Sequence, residues 1–124
     1  MKDEGIETAP DLKERTKGLA LRVVKLFGAL PRRAEAEVIG RQLLRSGTSV
    51  GANYREAQRS RSKAEFISKI GDCLKELDES AYWLELLADT AIVPPARLSA
   101  LSDECDQLIA IFTTISKRSK SNPS

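Results

Sequence analysis

The sequence predicts an all-α protein, an antiparallel up-down four-helix bundle, and three observations carry that expectation. Apolar residues recur every three or four positions along four separate stretches, the period of a helix with one buried face. No stretch alternates apolar and polar residues as a half-buried strand would, and aromatics are only 5% of the chain, so aliphatic helix packing supplies the core. Short breaks near Pro31, Arg59 to Arg61, and Pro94 to Pro95 separate the stretches, and short connections make consecutive helices antiparallel neighbours. At 124 residues the chain has the size of one domain.

Residues 1–10 are expected as a flexible N-terminus, residues 11–117 as the bundle and residues 118–124 as a flexible C-terminal tail. Thr8 to Asp11 reads as a helix start: a hydroxyl cap, an early proline and an acidic first turn. The first helix then runs to about Leu30, where Pro31 stops it. Leu12, Leu19, Val23, Phe27 and Leu30 form its inward face, yet Ala20, Leu21, Val24 and Leu26 make residues 19–30 apolar almost all round. Two readings follow. Either the helix is sunk between neighbours in its own subunit, or Leu21 and Val24 belong to a second face buried at a subunit contact.

The second helix is expected from about Ala34 to near Ser60. Its seam is Ile39, Leu43, Ser46, Val50, Asn53 and Ala57, part apolar and part polar. Gly40, Gly47 and Gly51 lie inside it, each costing about 1 kcal/mol relative to alanine. Close backbone approach by a neighbouring helix would offset that cost; the alternative is a break at Ser46 to Ser49. Ser46 and Asn53 are structural candidates, and a buried Asn53 amide needs hydrogen-bond partners and would set helix register.

The third helix has the clearest start in the chain: Ser62 with Glu65 three residues later forms a capping box. Phe66, Ile70, Cys73, Leu77, Ser80, Leu84 and Leu87 make its inward face, to about Thr90. Tyr82, Trp83 and Leu86 fall off that seam and are expected to face outward as a contact patch, unless a neighbouring loop covers them. After the connection Ala91 to Pro95, the fourth helix has the most regular seam: Leu98, Leu101, Cys105, Leu108, Phe112 and Ile115. It is expected to stop near Lys117.

Net charge is only +2, but it is unevenly placed. Between Arg32 and Lys63 eight basic residues face three acidic ones; between Glu65 and Leu108 three basic residues face ten acidic ones. Arg32, Arg33, Arg41, Arg45, Arg55, Arg59, Arg61 and Lys63 are therefore the candidate contacts to a nucleic-acid backbone. The competing reading is a solvated face paired with the acidic third helix. With no histidine, and with the acidic residues lying off the seams, nothing resembles the inward carboxylate and histidine sets of metal-binding bundles. No metal, no cofactor and no catalytic residue is expected. Cys73 and Cys105 read as small buried hydrophobes. No apolar run has the length of a membrane span, and MKDEG lacks the apolar core of a signal peptide, so a cytoplasmic location is expected.

The stretch QLLRSGTSVGANYREAQRSRSKAEF, followed by ESAYWLELL, resembles the bacterial four-helix bundle proteins related to those encoded by intervening sequences in large-subunit ribosomal RNA genes. Ser49, Asn53, Glu56, Ser62, Glu65 and Phe66 carry most of the resemblance, which spans roughly Leu12 to Ile115. The common family pattern has isoleucine, alanine, glutamate and glycine after the asparagine, where this chain has Tyr54, Arg55, Glu56 and Ala57. The resemblance implies an up-down bundle assembling as a ring, typically a homopentamer. The chain is also similar to the accessory variability proteins of diversity-generating retroelements, which bind nucleic acid and reverse transcriptase through a basic pentameric ring. The expectation is a non-enzymatic homo-oligomer binding structured RNA, or RNA and DNA, through the second helix. The alternative is a protein-binding scaffold using Tyr82, Trp83 and Leu86, with a reverse transcriptase or another protein as partner.

Overall fold

The computed structural model describes residues 11–121, which form four helices: α1 (Leu12–Ala29), α2 (Ala34–Gln58), α3 (Lys63–Asp89) and α4 (Pro95–Ser121). The expected start at Thr8 to Pro10 lies outside the described residues, as do residues 122–124. Asp11 caps α1, its carboxylate accepting from the Glu14 amide at 3.2 Å. The helix ends just before Pro31, as the proline requires.

α2 is continuous through Ser46 to Ser49. The hydroxyls of Thr48 and Ser49 donate back to the carbonyls of Leu44 and Arg45, at 2.7 and 2.6 Å, so the polar run is satisfied within its own helix. The buried glycines show where the conformational cost is offset. A methyl at Gly47 would stand 2.9 Å from Val23 Cγ2, and one at Gly51 would stand 3.1 Å from Thr16 Oγ1. α1 lies directly on this groove, and the register is opposed: Leu30 meets Gly40, Val23 meets Gly47 and Thr16 meets Gly51.

α3 opens as expected, with Ser62 Oγ accepting from the Glu65 amide at 3.0 Å. The return bond of this box goes one residue further back, the Arg61 amide donating to Glu65 Oε1 at 3.0 Å. The α2–α3 register is opposed too: Ser46 pairs with Ser80 at 2.8 Å, the Cys73 thiol meets the Val50 carbonyl at 3.6 Å, and Glu56 pairs with Lys69 at 2.6 Å.

The α3–α4 connection is no bare loop. Ala91 takes a left-handed φ of 58°, and Ile92 and Val93 are buried as part of the core. α4 continues to Ser121, four residues beyond the stop expected at Lys117. Its cationic last turn, Arg118 and Lys120, suits the negative end of the helix dipole and carries the helix onward. α1 touches α4 more sparsely, and there Arg15 donates to Glu104 at 2.8 Å and to Gln107 at 3.1 Å.

Two core expectations are corrected, and one open alternative is narrowed. Asn53 is only half-buried, and the buried polar pair on the seam is Ser46 with Ser80. The acidic residues do not all lie off the seams: Glu76 is buried, because Arg45 reaches it across the helix pair. Leu21 and Val24 are not sunk within their own subunit; they remain 60% and 50% exposed. No helix among the described residues is long and apolar enough to cross a membrane.

Candidate nucleic-acid interface

α2 rises about 1.5 Å per residue over its 25 residues, so its two ends stand roughly 37 Å apart. The eight candidate basic residues are therefore split. Arg32 and Arg33 sit in the turn before α2, whereas Arg55, Arg59 and Arg61 sit at its far end and in the turn beyond, and Lys63 opens α3. Arg41 and Arg45 lie between, and both are already engaged.

Arg41 donates to Glu37 one turn earlier at 2.7 Å. Arg45 donates across the helix pair to Glu76 at 3.1 Å and to Glu79. The bond that Arg45 donates to Glu79 does most to hold its guanidinium in the charged form, against a smaller opposing effect of burial. Both arginines thus pair with carboxylates of their own chain, as the paired-face reading has it, while their side chains stay 67% and 50% exposed. Arg33 lies 3.9 Å from Glu35, a loose exposed pair.

The far end differs. Arg55 is half-buried beside a hollow of about 170 Å³ shared with Thr16, Lys17 and Thr48. Arg59 and Arg61 line an open hollow of about 540 Å³ with Glu56, Glu65 and Lys69. Within it Glu56 is taken up by Lys69, whose ammonium lowers the carboxyl pKa, first through the hydrogen bond and then through its charge. Glu65 is held by the Arg61 backbone amide. Among the described residues, no carboxylate forms an ion pair with Arg55, Arg59, Arg61 or Lys63.

α4 brings further cations to this end. Tyr54 of α2 and Phe112 of α4 meet edge to face at 5.7 Å, and both helices run in the same sense from there. The last turns of α4 therefore place Lys117, Arg118 and Lys120 at the end that carries Arg59 and Arg61. Sequence reasoning assigned these residues to the helix stop and the tail. The only available signal was the absence of a helix breaker between Ile115 and Ser121. The arrangement offers a fixed array of cations to a polyanion.

The aromatic patch is also changed. Tyr82 is 51% exposed and packs edge-on against Trp83 at 5.0 Å. Trp83 itself does not face outward; it is half-buried against the core, and its indole N–H has no acceptor among the described residues. Leu86 is half-buried. Val38, 62% exposed on the first turns of α2, was not singled out by any pattern in the sequence.

No curated protein matches the chain. Among solved structures, it is similar to a protein of unknown function in the S23 ribosomal protein family from Bacteroides thetaiotaomicron. The two are 36% identical and superpose with a TM-score of 0.80, over 85% of this chain and 97% of that one. The model of the 23S rRNA-intervening sequence protein family matches residues 11–114, from the α1 cap to a point in α4 before its last turns. By that match the chain belongs to the 23S rRNA-intervening sequence protein family.

Proposed function

We propose that the chain is a non-enzymatic, cytoplasmic bundle of antiparallel helices that assembles as a homopentameric ring and binds the phosphate backbone of structured RNA or another nucleic acid. The opposed contact registers support the antiparallel arrangement, and the apolar side chains left exposed at Leu21 and Val24 support assembly. One observation carries the binding reading: Arg55, Arg59, Arg61 and Lys63 gather at one end with Lys117, Arg118 and Lys120, and no ion pair with the described residues occupies them. The interface is thus the end of the bundle rather than the length of α2. A ring repeats that array around its axis, which multiplies a modest local charge.

The test is RNA affinity across a salt series. Each phosphate neutralised adds about −0.7 to −0.9 to the slope of log K against log salt, so Arg59→Glu with Arg61→Glu weakens binding and flattens that slope. Arg41→Gln leaves both unchanged. Binding that ignores the Arg59 and Arg61 reversals overturns the reading.

The exposure of Tyr82 favours a second reading, a scaffold holding a protein partner such as a reverse transcriptase through the α3 patch. An apolar protein contact holds at salt concentrations that abolish phosphate binding.

A further inference from the structure

We infer that the contact between copies is heterologous: the outer stripe at the end of α3 in one copy seats in the α1–α4 cleft of the next. This rests on the assembly half of the proposed function and names the surfaces that make it.

The cleft comes first. α1 and α4 part beyond the Arg15–Glu104 pair and leave a hollow of about 260 Å³. Leu98 and Leu101 form its floor with Leu26, and Arg22, Lys25 and Arg97 stand on its rim. No acidic residue lines it. All three rim cations are exposed, and none forms an ion pair among the described residues. An apolar floor with a cationic rim fits an apolar side chain set among carboxylates.

The chain carries such a surface. Asp78, Tyr82, Glu85 and Asp89 are all exposed and step by four, three and four, so they form one stripe of α3. From Asp78 onward the stripe holds three carboxylates and an exposed ring at Tyr82, with the exposed Lys75 one step before it. None of its carboxylates is paired among the described residues.

Position agrees with chemistry. The cleft lies where α1 ends and α4 begins, and the stripe occupies the last turns of α3, which reach that same end. Two copies side by side with parallel axes therefore bring stripe and cleft to the same height. α1 and α3 are not neighbouring helices within a copy, which places the two surfaces on different sides of the molecule. Head-to-tail contacts of this kind close into rings when no axial shift accumulates. Every copy then presents Arg59 and Arg61 on the same face of the ring.

Light scattering on the purified full chain tests the contact. Arg22→Glu with Lys25→Glu reverses the rim, and Asp78→Lys with Glu85→Lys reverses the stripe. Each pair is expected to reduce the mass to one subunit, and the chain carrying all four changes is expected to regain the wild-type mass. Tyr82→Ala, at an exposed position that leaves the fold intact, should raise the concentration for half-dissociation about tenfold or more. A monomeric wild type overturns the inference, as does an assembly whose mass ignores either reversal. RNA binding by the same variants separates the two ideas. Reversals that dissociate the assembly while leaving weak, salt-sensitive RNA binding support both; an undisturbed assembly that binds RNA through Arg59 and Arg61 removes only the contact.

Discussion

Arg45 of α2 is held by two carboxylates of α3, Glu76 at 3.1 Å and Glu79, and Glu76 is itself buried. This one side chain converts an arginine of the candidate binding surface into a cross-brace of the fold. Truncating it leaves the Glu76 carboxylate in a poorly solvated site without its partner. Arg45→Ala is expected to cost about 1–3 kcal/mol in urea unfolding while leaving RNA affinity unchanged.

The α1–α2 contact makes two glycines behave oppositely. Gly47→Ala drives a methyl into Val23, 2.9 Å away, and should destabilise by about 1–3 kcal/mol although alanine favours helix. Gly71, in α3, has nothing within 4 Å of the added atom. Gly71→Ala should stabilise by up to about 1 kcal/mol. Thermal melts of the two variants against wild type check the difference in sign.

The Ser46–Ser80 hydrogen bond should show strong coupling. Ser46→Ala strands the buried Ser80 hydroxyl and costs about 1 kcal/mol or more, Ser80→Ala costs less because Ser46 Oγ keeps the Leu43 carbonyl at 3.4 Å, and the double change removes both groups and is nearly neutral. A double-mutant cycle in denaturant reads the coupling energy; additive losses contradict the pairing.

The two thiols give the pH prediction. Burial pushes Cys73 and Cys105 up from 9.0 to about 12. At pH 8 the native chain should therefore resist iodoacetamide and react only on unfolding. The sign for stability follows from the same shift. The unfolded chain releases these protons first, so the contribution is intact below about pH 9.0 and declines as pH rises toward about 12. A series of unfolding curves through that interval, with Cys73→Ala as control, measures it.

Much of this architecture is legible in the chain. The four seams, the Ser62–Glu65 cap, the stop at Pro31 and the glycine face of α2 all depend on neighbours three or four residues apart, and helix periodicity records such neighbours directly. The family match follows from the same local pattern. The candidate interface is different, because it depends on residues far apart in sequence. Arg45 meeting Glu76, Trp83 turning in to the core, and Lys117 arriving near Arg59 are set by how the helices are rotated and slid against one another. Ridges and grooves decide that rotation, and here the groove is cut by Gly47 and Gly51 to fit Val23 and Thr16. The sequence by itself therefore determined the helices and which face each buries. Only packing decided which arginines pair with carboxylates of α2 and α3 and which gather at the end of the bundle with no ion pair among the described residues.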